Sequence, residues 1–170
     1  MLKAFGNGIW LADGGNVVAA AGFHSPTRMA VIRLNDGSLF VWSPVALTDD
    51  LRAAVDALGP VRHLIAPNSL HHVFIGDWKR AYPDASIHAA PGLAEKRRDL
   101  QFDDALSDRP AQPWGGQIDQ AVLSGNRITT EVVFFHRASG TVLFTDLLQQ
   151  FPGDWFSGWR RIVARLDLMT

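Results

Sequence analysis

The 170-residue chain has no cysteine and a single tyrosine, and its charges nearly cancel, with 16 Lys and Arg against 17 Asp and Glu. Each scarcity excludes something. Without cysteine there are no disulfides, no thiolate nucleophile and no sulfur-ligated zinc, so any metal must be held by His, Asp, Glu or water. A net charge of -1 leaves no electrostatic footprint for nucleic acid or an anionic membrane. No apolar run approaches the ~18 residues that span a bilayer, and the N-terminus lacks the charged-then-apolar pattern of a signal peptide. The expected location is cytoplasmic, with neither nucleic acid nor membrane as partner.

What is present describes a packed α/β domain. Hydrophobic residues make up 47% of the chain, including six Trp and ten Phe, and the length suits one domain over residues 1–170. Residues 1–28 read as a loose leading hairpin, Gly8 to Leu11 and Val17 to Ala21, broken by Asp13-Gly14-Gly15. From Met29 the pattern sharpens. Two β-rich runs, 29–34 and 38–42, meet at Asn35-Asp36-Gly37, a strong hairpin signal, and Ser43-Pro44 stops the second. Thr48 caps a helix with Asp49 and Asp50 in its first turn and Leu51, Val55 and Leu58 on one face. A short buried strand follows at 61–66.

Pro67-Asn68-Ser69-Leu70-His71-His72 then leads into a helix with Phe74, Trp78 and Tyr82 at i, i+4, i+8. A strand over 85–90, a charged helix over 93–100 and an irregular loop over 101–117 come next. Strands are expected at 118–123, 130–135 and 141–145, and a terminal helix within 149–170 carries Trp155, Trp159, Ile162, Val163 and Leu166 on one stripe. That stripe reads as core, with part of it free to cover a dimer partner, and Asp154 reads as the helix N-cap. Arg160, Arg161 and Arg165 read as a solvated face. His136, at a turn, reads as a structural or surface residue, and His24, His63 and His88 as histidines satisfied by their neighbours.

The candidate site lies where open α/β sheets place ligands, outside the carboxyl end of a strand. His71 and His72 sit there, after a polar Pro-Asn-Ser opening in which Asn68 or Ser69 is the natural cap. Ser43 ends the adjacent strand. With His72 as base it suggests a nucleophile, but no G-x-S-x-G elbow surrounds it, and a serine before proline is commonly a turn residue. Counting outward from the turn at 138–139 places Glu131 opposite Asp146, so their carboxyls are neighbours.

Three segments, MAVIRLNDGSLFVWSPV (29–45), HLIAPNSLHH (63–72) and EVVFFH…LFTD (131–146), carry a resemblance to the metallo-β-lactamase superfamily, most specifically to its DUF4336 branch. The resemblance implies a metallo-β-lactamase-like αββα sandwich with mixed sheets and a shortened C-terminal part, best matched over 29–148. It also exposes what is missing. The four places of the superfamily's His-x-His-x-Asp-His motif fall on Pro67, Ser69, His71 and His72, and only His72 keeps its type. Asn126 stands where a later histidine belongs, Asp146 matches the bridging aspartate, and no Gly-His segment follows before Thr170.

A dinuclear zinc centre cannot be assembled from two surviving ligands. Adjacent residues at a helix start point roughly 100° apart, so one ion does not take both His71 and His72. The remaining candidate set is His72, Asp146 and Glu131 around one Zn, Mn or Fe ion. Two functions stand open. One is a module without the dinuclear site that binds a small molecule or a protein, with no catalysis. The other is a mononuclear metal-dependent hydrolase of an ester, amide or phosphoester. In that case His72 and Asp146 hold the metal and His71 or Glu131 shuttles the proton, while Ser43, Asn68 and Asn126 line the substrate site. The shortened end makes a homodimer the expected assembly.

Overall fold

The computed structural model describes residues 1–18, 24–124, 130–147, 152 and 154–166. Seven strands lie in chain order in one mixed sheet: β1 (Leu2–Gly6), β2 (Ile9–Val18), β3 (His24–Arg33), β4 (Leu39–Trp42), β5 (Val61–Ala66), β6 (Ser86–Ala89) and β7 (Asp104–Ala105). The first four pair antiparallel and the rest parallel. The switch at β4 follows from the connections. Asn35-Asp36-Gly37 is a tight turn with Gly37 at φ 83° and the Asp36 carboxylate accepting from both the amide and the hydroxyl of Ser38. A parallel neighbour needs a crossover, supplied by helix α1 (Asp49–Asp56) and then α2 (Ile75–Ala81). Thr48 caps α1 as its sequence requires, accepting the amide of Leu51 at 3.2 Å.

A second, antiparallel sheet is ordered β10-β9-β8, from β8 (Ile118–Leu123), β9 (Glu131–His136) and β10 (Thr141–Leu143). The large sheet buries both faces. Val31, Val41, Leu64 and Ile87 pack toward Leu51, Val55, Ile75 and Trp78 of the helices. Ile32, Phe40 and Ile65, one residue out of phase, pack against Ile118, Val132 and Phe134 of the second sheet. Central strands buried on both faces read as continuous apolar runs, as β4 does in Leu-Phe-Val-Trp. One joint between the sheets matters for the site. Past the end of β5 the amide of Val132 donates to the carbonyl of Pro67 at 2.8 Å, and Asn68 bridges Glu131. Among the described residues no helix is long and apolar enough to cross a membrane.

Several elements differ from the sequence expectation. Asp13-Gly14-Gly15 does not break the chain. It is a bulge inside the ten-residue β2, where the register slips between Asp13 and Asn16. Gly14 is required there, because a Cβ would stand 2.2 Å from Thr27 Oγ1 and 2.8 Å from Val45 Cβ. Helix α3 (Leu93–Lys96) stops short of Leu100, and the Arg97 guanidinium turns onto the Asp99 carboxylate. The loop over 101–117 holds β7 and a short 3-10 helix, Gln112–Trp114, whose Trp114 is fully buried against Phe40, His63 and His88. A loop-like composition hid a core anchor.

The last helix, α4 (Trp159–Leu166), begins four residues later than the tryptophan stripe suggested, and Asp154 lies in a turn ahead of it. The stripe is not core: Trp155, Trp159, Ile162 and Val163 are 38%, 53%, 63% and 41% exposed. Helical periodicity identifies an apolar face, not what covers it. Of the two readings open to His136, the structure bears out the structural one: it is 3% exposed and bonded to Ser139 Oγ at 2.7 Å.

Candidate functional site

The site forms where the carboxyl ends of β4 and β5 meet the far end of the β9–β10 hairpin. Asn68 is its hub and is fully buried. Its Oδ1 accepts the amides of Leu70 and His71, both at 2.8 Å, which caps the turn carrying the two histidines. Its Nδ2 donates to Thr145 Oγ1 at 2.7 Å and to Asp146 Oδ2 at 2.6 Å. One amide side chain thus fixes the histidine turn relative to the second sheet.

Glu131, 4% exposed, is opposite Asp146 as the hairpin register dictates. Its Oε1 accepts the amide of Thr145, and its Oε2 accepts that of Asp146 at 2.9 Å. Both oxygens are therefore engaged by backbone N–H groups, which are strong, charge-assisted partners.

His71 and His72 point apart. His71 Nδ1 lies 2.9 Å from Ser43 Oγ, and its Nε2 lies 3.5 Å from Asp146 Oδ2. His72 turns the other way, and its Nδ1 meets an Arg97 guanidinium nitrogen at 2.9 Å. Burial, with the positive charges of Lys96 and Arg97 added, holds the His72 pKa below the ordinary histidine value. Ser43 itself carries φ 51°, and among the described residues it alone is a non-glycine with positive φ. The residue before a proline is normally extended, so this backbone is strained, at a cost on the order of 1–3 kcal/mol. The amide of Ser43, bonded to the carbonyl of Ile65 at 3.0 Å, keeps it in place.

A cleft of about 520 Å³ opens beside this cluster. His71, Thr145 and Asp146 form one wall; Asp13, Gly14, Thr27 and Arg28 of the bulged β2–β3 ribbon form another, with Trp42 and Trp155 also lining it. Arg28 and Asp13 are paired at 2.6 Å, and Trp155 Nε1 donates to the carbonyl of His24. Among the described residues, the Trp42 indole N–H is the buried side-chain polar atom with no hydrogen-bond partner.

The structure thus brings together Ser43, Asn68, His71, Glu131 and Asp146 and leaves His72 outside. Asn126 lies outside the described residues. Sequence reasoning missed Trp42, Arg28 and Thr145. Thr145 was within reach, since it precedes Asp146 on the hairpin arm that faces Glu131. The cleft wall from β2 and β3 had no comparable signal, because its shape depends on a bulge.

Zinc does not fit these residues. A catalytic zinc takes three protein ligands, and among the described residues no three His, Asp or Glu side chains converge. His71 and Asp146 approach each other, but Glu131 has both oxygens on backbone amides, His72 faces two cations, and Asp146 Oδ2 already accepts from Asn68.

A family model described as a domain of unknown function (DUF4336) matches residues 7–161. No curated protein matches. Solved structures similar to the chain include the metallo-β-lactamase from Hirschia baltica, at 16% identity and TM-score 0.57, covering 81% of this chain and 66% of that one. Another is the metallo-β-lactamase from Pontibacter korlensis, at 11% identity and TM-score 0.60, covering 80% and 66%. A third is the metallo-β-lactamase FIM-1 from Pseudomonas aeruginosa in its mono-zinc form, at 12% identity and TM-score 0.55, covering 79% and 63%. At these identities the likeness is one of fold, the metallo-β-lactamase-like α/β architecture that the sequence resemblance implied. The chain spans just under two thirds of the length of the structures it matches.

Proposed function

The chain belongs to the DUF4336 family, and on that footing we propose that it binds a small molecule in the cleft beside His71 and Asp146 without a dinuclear zinc centre. One observation carries this reading. The polar side chains of the site are already bonded in a network centred on Asn68 that takes in His71, Asp146 and Glu131, while His72 is bonded apart from it to Arg97. Satisfied polar networks of this kind hold a site rigid, and rigidity lowers the ordering cost of binding. The cleft volume falls in the range of small-molecule sites. Trp42, with an indole donor that has no acceptor, supports a ligand bearing an oxygen acceptor.

The test is an NMR titration of chelator-treated protein with a library of small carbonyl-containing acids and esters, following backbone amides and the indole N–H of Trp42. The expected result is saturable shifts confined to Trp42, His71, Thr145, Asp146 and the β2–β3 wall. Binding that appears only after zinc is restored would overturn the proposal in favour of a mononuclear metal-dependent hydrolase.

A further inference from the structure

Three features converge on one serine that adjoins the cleft through its contact with His71. Ser43 Oγ is 2.9 Å from His71 Nδ1, His71 Nε2 is 3.5 Å from Asp146 Oδ2, and Ser43 holds a strained φ of 51° directly before Pro44. We propose that Ser43 is a nucleophile, with His71 as its general base and Asp146 as the residue that positions His71, and that the cleft's ligand is an ester of a small, unbranched carboxylic acid. The inference rests on the metal-independent cleft argued above and adds its chemistry.

The tautomer follows from the charges. A carboxylate facing Nε2 favours the proton on that nitrogen, which leaves the Nδ1 lone pair to accept from the Ser43 hydroxyl. The opposite tautomer would set a lone pair against Asp146. The 3.5 Å separation is long, as base–orienter contacts often are before substrate binds. Asp146 is in turn fixed by Asn68 through its side chain and by Glu131 through its amide. Strain at Ser43 has a role here. A serine in extended backbone at the end of β4 would continue the strand's alternation, and the left-handed conformation redirects it, as sharp turns at nucleophilic serines do.

The reaction balances with water as the only co-reactant. Ser43 Oγ attacks the ester carbonyl and its proton passes to His71 Nδ1. The carbon–oxygen bond to the alcohol breaks, and His71 returns the proton to the departing oxygen. Water, deprotonated by His71, then attacks the acyl-serine, and the carboxylic acid leaves as Ser43 recovers its proton. The size limit comes from burial. Ser43 is 4% exposed and adjoins the cleft through His71, which lines it, so an acyl group must be slim to approach Oγ.

The probe is p-nitrophenyl acetate, applied to chelator-treated full-length protein, acid-quenched and mapped by peptide mass spectrometry. Wild type is expected to carry an acetyl group on Ser43. Ser43→Gly, in which glycine takes the positive φ without strain, keeps the fold by circular dichroism and loses the adduct. His71→Ala slows acetylation roughly 100-fold or more. Wild type that binds esters in the NMR titration yet never acylates Ser43 would overturn the nucleophile and leave the binding site standing. Hydrolysis that depends on added zinc and persists in Ser43→Gly would overturn both.

Discussion

Glu131 spends both carboxylate oxygens on the backbone of the facing arm of its own hairpin: Oε2 accepts the amide of Asp146 at 2.9 Å while Oε1 accepts that of Thr145. The arrangement makes Glu131 the fastener of the segment that presents Asp146. Glu131→Gln replaces one acceptor oxygen with an NH2 that faces a backbone N–H. The variant should lose about 2–3 kcal/mol in urea unfolding, as expected when a buried charge-assisted pair is broken. A Glu131→Gln protein as stable as wild type would show that these bonds do not hold the segment.

Asn68 is the residue whose chemistry decides between a hydrogen-bonded cluster and a metal site. Asn68→Asp keeps the Oδ1 that caps the histidine turn but exchanges the Nδ2 donor for an oxygen beside Asp146. The metal-free variant should be less stable than wild type, because two carboxylates then share one place. It should also gain zinc binding by isothermal titration calorimetry, having His71, Asp146 and a third ligand together. Absence of any gain would mean that the three side chains cannot converge on one ion.

Trp42→Phe tests whether the unpartnered indole N–H serves a ligand. Removing a buried donor that has no acceptor should raise the stability of the unliganded protein by about 1 kcal/mol, since the desolvation cost disappears with the group. The same change should weaken small-molecule binding in the cleft. A loss of stability instead would show that Trp42 contributes through packing that phenylalanine cannot replace.

His63 and His88 make the fold sensitive to acid. They lie between the sheets, with His63 Nδ1 3.3 Å from His88 Nε2 and both rings edge-on to Trp114. Burial pushes the His88 pKa down to about 4, with His63 lowering it further and Asp103 and Asp104 opposing; burial also lowers His63, against Asp36 and together with Arg62. The unfolded chain protonates near 6.5 while native His88 stays neutral, so stability is full above pH 6.5 and declines as pH falls toward 4. The loss from His88 amounts to about 3 kcal/mol. Urea midpoints at pH 7, 5.5 and 4 read this directly, and His88→Gln should flatten the profile.

Much of the architecture was legible because local signals agreed with one another. Asn35-Asp36-Gly37 set a hairpin, Thr48-Asp49-Asp50 started a helix, and the turn at 138–139 placed Glu131 opposite Asp146, which the side-chain bonds bear out. What failed depended on tertiary partners. Gly14-Gly15 read as a break because a bulge is justified only by the neighbours it avoids, Thr27 and Val45. Trp114 sat in a polar, proline-rich stretch and is nonetheless core. At the site the residues were found but their pairing was not. Adjacent histidines must diverge, yet only the fold reveals that His71 takes Ser43 and Asp146 while His72 takes Arg97.

The central claim is that the cleft works without a metal centre, and element-resolved metal analysis tests it most directly. Wild type should be measured as purified and after incubation with Zn, Mn and Fe, beside a His71→Ala, Asp146→Ala double variant. The account predicts no stoichiometric metal in either protein. Near-stoichiometric metal in wild type that disappears in the double variant would contradict it.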